Sequence, residues 1–181
     1  MRAVLSRFDG YPERRSLEEV LEEFVRLFGI TGASSVGDSH TQSAIMAKYD
    51  DALRNCEDFQ DVFTLVRQCT GSYLGRQRND MVLQLVEMPL HIGAAHPVGT
   101  NRIVMNKALL DLAVQNRSFS EVKAFVFSIL LHEYIHSLGY LNEYETRELV
   151  FLVTQDAFGP DHVVTHVARY GPWHIFRRLP I

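Results

Sequence analysis

Hydrophobic residues recur at helical spacing in the first part of this chain. Between residues 17 and 28 one apolar stripe follows a capping box formed by Ser16 and Glu19, so a helix is predicted there. The next segment, 30–43, is small and polar, which predicts a loop. Residues 44–70 repeat apolar positions at helical spacing and predict one or two further helices.

The middle of the chain changes to the pattern of strands. Residues 81–88 combine β-branched and other apolar residues after a polar turn, and 103–105 repeat this pattern over a shorter run. Between them, 89–100 contains prolines and glycines and predicts an irregular loop. His91 and His96 in this loop are expected to be exposed, and the alternative is that they approach a cleft. We therefore expect a small sheet in a mainly helical protein, which is an α+β fold.

Helical spacing returns after the predicted sheet. A short helix is predicted over 106–114, and Ser118 with Glu121 forms a capping box that opens a long helix over 119–138. The run 122–131 within it is apolar on nearly every side, so this helix is expected to lie in the core.

The chain is then predicted to turn back twice. Gly139 can end the long helix in a left-handed conformation, and Asn142 is a suitable N-cap for a helix over 143–158. Asp161 is expected to cap a last helix over 162–170, which a Gly-Pro pair closes.

Composition and charge predict one soluble domain spanning 1–181. The net charge of −4 gives no reason to expect a nucleic-acid partner. The apolar runs are too short for a membrane span, and the N-terminal stretch lacks the apolar core of a signal peptide, so no membrane is expected. Two cysteines, Cys56 and Cys69, fit a reducing compartment, which predicts a cytoplasmic location. The sequence does not indicate an oligomeric state.

The chemically informative motif is H-E-x-x-H, at the end of the long helix. His132 and His136 lie four residues apart, so both project from one face and can hold one metal ion, for which neutral imidazoles favour Zn²⁺. Glu133 lies beside them, where a carboxylate can take a proton from a metal-bound water.

The alternative is a buried helix whose histidines are satisfied by hydrogen bonds. A metal is favoured because burying all three side chains is costly unless something pairs with them.

Catalytic zinc keeps three protein ligands and an open position, so a third ligand is needed. The helix predicted after Asn142 carries three carboxylates, Glu143, Glu145 and Glu148. Simple hairpin geometry lets more than one of them face the histidines. Glu145 has a rival role, because it fits a capping box with Asn142.

The run HEYIHSLGYLNEYETRE resembles the core of zincin metallopeptidases of the gluzincin type, in which a glutamate on a following helix completes the site. Residues 143–147 are similar to the E-x-E-A-D or E-x-E-A-N pattern of such families. The resemblance implies that Glu143 is the third zinc ligand. It also implies a zincin-like fold whose small sheet lies above the metal-binding helix and receives a substrate by strand addition, a role it suggests for 81–105.

The resemblance covers about twenty residues and has three departures. Arg147 stands where those families usually place Asp or Asn, and only six residues separate His136 from Glu143. The opening of the motif also resembles metzincins, but those place a histidine or aspartate where this chain has Asn142. No methionine follows Met105, so a Met-turn is missing. We therefore favour a compact gluzincin-like site.

The C-terminal segment offers candidates for stabilising an oxyanion. Gluzincins often give this role to a histidine or tyrosine, and His166, Tyr170 and His174 are the candidates here. His162 and His166 repeat the four-residue spacing of the motif, but no acidic residue lies between them. The alternative is a helix that packs its valines on the core.

The resemblance implies a zinc-dependent peptidase that acts on a peptide or protein substrate. In this hypothesis Zn²⁺ polarises the scissile carbonyl and Glu133 is the general base. Two alternatives stay open: a metal hydrolase of a non-peptide bond, and a non-catalytic zincin-like protein with a binding or regulatory role.

Overall fold

The computed structural model of the chain describes residues 39–176, and of residues 39 and 40 only the backbone; this range belongs to one compact unit. The helix predicted over 17–28 and its capping box lie outside the described residues. The single domain predicted for 1–181 likewise stays a prediction.

Helices dominate the described range, and three short strands form one sheet, so the predicted α+β fold is confirmed. The elements in chain order are α1 (Ser39–Asn55), α2 (Phe59–Leu74), β1 (Val82–Val86), β2 (Ala94–Ala95), β3 (Arg102–Asn106), α3 (Lys107–Asn116), α4 (Phe119–Ser137), α5 (Glu143–Phe158), α6 (Val163–Tyr170) and a 3₁₀ turn (Pro172–Phe176).

Helix α4 lies at the centre of the fold. Every residue from 124 to 131 is buried, and the helix packs against α2, α3, α5, α6 and the sheet. Its first turn carries the predicted capping box between Ser118 and Glu121. An apolar helix without a polar face has to be covered on every side, and the neighbouring elements provide that cover.

The sheet has the order β1-β3-β2 and lies beside α4. Strand β1 pairs in parallel with β3, whereas the edge strand β2 pairs with β3 in the antiparallel direction. Strands β2 and β3 both contact α4. A Cβ placed on Gly93, just before β2, would lie 3.1 Å from the Cδ1 atom of Ile129 in α4. Glycine therefore lets the edge of the sheet approach the central helix closely.

Asn106 holds the loop that precedes β2. Its buried side-chain nitrogen donates to the carbonyl oxygens of Met88 (3.0 Å), Pro89 (3.0 Å) and Ile92 (2.8 Å). Its side-chain oxygen accepts from the N–H of Ala108 at 3.0 Å and so caps α3. One side chain therefore fixes both the loop and the start of the next helix.

Three predictions of local structure are wrong: the start of α1, the absence of a strand from 89–100 and the cap of α6. Helix α1 begins at Ser39, inside the predicted loop 30–43, and Gln42 in its first turn donates to the carbonyl oxygen of Asp156 at 3.0 Å. Strand β2 lies inside the predicted irregular loop 89–100. The cap of α6 is His162 rather than Asp161. In all three cases a contact with another segment accompanies the change, and local sequence patterns do not report such contacts.

Two findings bear on the predictions about membrane spans and cellular compartment. Within the described range, each helix is too short or too polar to cross a membrane. Cys56 and Cys69 are free, and burial raises the pKa of both thiols. The cytoplasmic location stays a prediction.

Asn106→Asp should destabilise the protein by at least about 2 kcal/mol, because an oxygen would replace the amide nitrogen that faces three carbonyl groups. The matched control is Asn101→Asp, since the side-chain nitrogen of Asn101 is exposed and donates to one carbonyl, that of Asp80, at 3.0 Å. This control should lose less than about 1 kcal/mol. Urea unfolding measures both, and equal losses would contradict the role given to Asn106.

Candidate metal centre

The histidines of the motif share one face of the last turns of α4. The ring centroids of His132 and His136 lie 4.7 Å apart with their planes at 84°. Gly139 follows with a positive φ of 102°, as predicted, and its N–H donates to the carbonyl oxygen of His136 at 3.0 Å. A non-glycine residue is strained at this φ, so the glycine is suited to reversing the chain here.

Helix α5 begins immediately after this turn. The side-chain oxygen of Asn142 accepts from the N–H groups of Tyr144 (2.9 Å) and Glu145 (3.1 Å), so the predicted N-cap is confirmed. The first residue of the helix, Glu143, is thereby brought back to the end of α4. The short hairpin, rather than a long excursion, places this carboxylate beside the histidines.

Atoms of three candidate ligands converge. The Nε2 atom of His136 lies 3.1 Å from Nε2 of His132 and 3.1 Å from Oε1 of Glu143, and Nε2 of His132 lies 3.4 Å from Oε2 of Glu143. Ligand atoms about 2.0–2.1 Å from a tetrahedral zinc ion are about 3.3–3.4 Å from one another. The observed separations lie within a few tenths of an ångström of this spacing, with each histidine facing a different oxygen of Glu143. One candidate ligand atom from each side chain lies within 4.8 Å of the others, so the three side chains could hold a metal ion.

The protonation of these groups also fits a cation. Nδ1 of His136 lies 2.7 Å from the carbonyl oxygen of Tyr140, so in the neutral ring Nδ1 carries the proton and Nε2 presents its lone pair to the cluster. Burial lowers the pKa of His132 to about 4, so this ring is neutral at pH 7. Two imidazole nitrogens and a carboxylate therefore face one another, and a metal ion can attract all three at once.

The cluster is open on the side of Glu143. The side chains of His132 and His136 are 22% and 13% exposed, whereas that of Glu143 is 64% exposed. Nε of Arg147 lies 3.8 Å from Oε2 of Glu143, and the positive charge of Arg147 contributes to the lowered pKa of His132. The residue that departs from the family pattern thus lies beside the candidate ligands.

Glu133 is buried next to the cluster, with 8% of its surface exposed. Burial raises the pKa of its carboxyl group to about 7, and a hydrogen bond from the backbone N–H of His96 opposes this rise. His96 directly follows β2, so Glu133 lies between α4 and the end of the edge strand. The sequence does not reveal this backbone contact, because a predicted loop does not indicate which N–H faces the helix.

The other two glutamates do not join the cluster. In the described part of the chain, His132, His136 and Glu143 form the one group of three or more candidate ligands whose atoms lie within 4.8 Å of one another. Glu145 and Glu148 lie further along α5, and burial raises the pKa of Glu148. Geometry therefore selects Glu143 among the three carboxylates that the sequence leaves open.

The candidates for the oxyanion role lie together at the end of α6. Tyr170 lies 6.4 Å from His166 and 5.1 Å from His174 between ring centroids, and all three residues are exposed. None of the contacts described for residues 39–176 joins them to the metal cluster. Two residues after His174, Phe176 packs on Phe125 at 5.4 Å, and Phe125 precedes His132 by about two helical turns. Their role in hydrolysis stays a prediction.

His162 has a structural role instead of pairing with His166. Its Nδ1 accepts from the N–H of Val164 at 3.2 Å, its Nε2 lies 3.2 Å from Oδ1 of Asp50, and its ring stacks on Phe158 at 4.9 Å. Both ring nitrogens are therefore occupied by the cap of α6 and by α1.

Comparison of the chain with protein-family models, with curated proteins and with solved structures gives no match. Its function is therefore inferred from the geometry of the site.

Glu143→Ala should weaken zinc binding at least tenfold, roughly, because it removes one of three ligands. Glu145→Ala should chiefly lower the melting temperature, and Glu148→Ala should leave zinc affinity close to that of the wild type. Competition against a chelator of known affinity measures all three. Loss of zinc in Glu148→Ala alone would show that α5 presents its other face to the histidines.

Gly139→Ala should weaken zinc binding as well, on the order of tenfold, because strain at its positive φ shifts the hairpin that carries Glu143. The matched control is Gly99→Ala, since Gly99 also has a positive φ, of 80°, and a Cβ would meet no atom within 4 Å at either position. Both variants should lose about 1–2 kcal/mol of stability. Equal zinc affinity in the two variants would contradict a specific role for the hairpin.

Proposed function

We propose that this chain is a zinc-dependent peptidase with a compact gluzincin-like site. The observation that carries the proposal is the convergence of His132, His136 and Glu143 at separations of 3.1–3.4 Å beside the buried carboxyl group of Glu133. The resemblance of residues 132–148 to zincins supports the same chemistry.

The number of candidate ligands favours a catalytic site over a structural one. Structural zinc sites usually have four protein ligands, whereas catalytic sites keep three and an open position. Three candidate ligands converge here among the described residues, and the cluster is open beside Glu143. This arrangement leaves room for a substrate group.

Each residue has a separate task in the proposed reaction. His132, His136 and Glu143 hold the ion, and bound zinc supplies Lewis acidity that polarises a carbonyl oxygen and makes water more acidic. Glu133 takes the proton from the attacking water and passes it to the leaving amine. The backbone N–H of His96 keeps the carboxyl group of Glu133 oriented between α4 and the sheet.

The sheet offers a place for a peptide substrate. Strand β2 is an edge strand, runs antiparallel to β3 and contacts α4, which carries the motif. An edge strand has backbone donors and acceptors that can pair with an extended peptide. A peptide that pairs there lies alongside the helix of the candidate metal centre, and this favours a peptide bond over other hydrolysable bonds.

Glu133→Gln should keep zinc but lose hydrolysis by roughly 10²–10⁴-fold, because Gln preserves the shape and accepts the hydrogen bond from His96 but cannot take up the proton. The measurement combines elemental analysis for zinc with turnover of a broad library of fluorogenic peptides. Glu145→Gln is the matched control, since it makes the same chemical change on α5 outside the cluster, and it should stay active.

Full activity of Glu133→Gln would reject Glu133 as the general base. A folded wild-type protein that holds one equivalent of zinc but cleaves no peptide would favour the non-catalytic alternative, in which the metal stabilises a binding or regulatory protein. Less than about a tenth of an equivalent of zinc, unrecovered on adding Zn²⁺, would reject the metal site itself.

A further inference from the structure

A small group of polar atoms lies on the side of the His136 ring that faces away from the cluster. The hydroxyl oxygen of Thr146 lies 3.0 Å from the carbonyl oxygen of Tyr140 and 3.4 Å from Nδ1 of His136. The same carbonyl oxygen accepts from Nδ1 at 2.7 Å. These three groups form a closed triangle between the end of α4, the hairpin and the first turns of α5.

The hydroxyl of Thr146, like that of Thr165 in α6, donates outside its own helix, whereas those of Thr70 and Thr154, two other buried threonines, do not. The hydroxyl of Thr70 donates to the carbonyl of Val66, and that of Thr154 donates to the carbonyl of Phe151, so each bond stays within its own helix. Thr146 is fully buried in α5, yet its hydroxyl donates to Tyr140, outside the helix. Its hydrogen bond therefore connects the helix to the hairpin.

This connection bears on the tautomer of His136. A neutral imidazole carries one proton, on either Nδ1 or Nε2. With the proton on Nε2, this nitrogen could donate to Oε1 of Glu143 at 3.1 Å. The lone pair of Nδ1 would then face the carbonyl oxygen of Tyr140 at the shorter distance of 2.7 Å, which is repulsive. Thr146 holds that carbonyl in place, so the proton is kept on Nδ1 and the lone pair of Nε2 points into the cluster.

We propose that Thr146 is a positioning residue that fixes the ring and the tautomer of His136 for metal binding through the carbonyl of Tyr140. Because α5 also carries Glu143, three residues before Thr146, the same contact sets the distance between two candidate ligands. The inference rests on the proposed function only for its statement about zinc. The statement about the tautomer concerns the metal-free protein.

The test compares Thr146→Val with Thr154→Val. Both variants remove a buried hydroxyl that donates to a carbonyl, keep a similar shape and lie on the same helix. Thr146→Val should weaken zinc binding about tenfold, whereas Thr154→Val should bind zinc like the wild type. Thr146→Ser keeps the hydroxyl and should restore most of the affinity.

A second measurement does not depend on zinc. Long-range ¹H–¹⁵N NMR spectra of the metal-free wild type at about pH 8, where histidines are ordinarily neutral, report which ring nitrogen carries the proton. His136 should be protonated on Nδ1 in the wild type and in Thr154→Val, with a larger Nε2–H fraction in Thr146→Val.

The outcomes separate this inference from the proposed function. A wild type whose His136 is protonated on Nε2 overturns the inference, whether or not Thr146→Val folds. Equal zinc affinity in Thr146→Val and Thr154→Val also overturns it while leaving the proposed function standing. A wild type that shows the expected tautomer but binds no zinc rejects the proposed metal site and supports the tautomer assignment alone.

Discussion

The burial of α4 is the constraint on which the rest of the structure depends. Residues 124–131 present no polar face, so helices and a sheet have to enclose the helix on all sides. The same helix then continues into His132, Glu133 and His136, which are costly to bury without partners. Ionisable side chains at the end of a buried helix need a compensating interaction, and such exceptions to an apolar core are expected at functional sites. The hairpin at Gly139 brings Glu143 to this place, so one packing constraint positions the whole candidate site.

The elements that the sequence predicts best are those whose signals are local. Helix α5 begins and ends at the predicted residues, because Asn142 and a Gly-Pro pair mark its two ends. Features that arise from distant contacts are not predictable in this way. The two-residue strand β2 exists because β3 pairs with it, and the histidine cap of α6 exists because Asp50 and Phe158 hold the ring of His162. No periodicity or propensity reports such contacts.

The third candidate ligand, Glu143, is predictable in part. Helical geometry singles it out among the three glutamates once the rotation of α5 about its own axis is known. Successive residues of an α-helix are rotated by about 100°, so when Glu143 faces the histidines, Glu145 points about 160° away from it and Glu148 about 140° away. Thr146 and Arg147 lie within about 60° and 40° of Glu143 on the same face. One rotation of α5 therefore brings Glu143 into the cluster, Arg147 beside it and Thr146 to the opposite side of the His136 ring. The sequence alone does not determine this rotation, because it does not specify the path of the hairpin between α4 and α5.

Arg147 gives this site an electrostatic character that differs from the family pattern. The resemblance places an acidic or amide residue at this position as support for a histidine, whereas here a backbone carbonyl accepts from Nδ1 of His136. Two neutral histidines and one carboxylate would leave a bound Zn²⁺ with a net charge of about +1, and Arg147 would add a further positive charge nearby. The side chain of Arg147 is 48% exposed, so solvent would weaken its repulsion of a bound ion. The attraction between Nε of Arg147 and Oε2 of Glu143, which lie 3.8 Å apart, would offset part of the remaining repulsion. A metal centre with this charge would attract electron-rich groups, such as a carbonyl oxygen, and this charge balance fits the proposed hydrolysis better than a closed structural site.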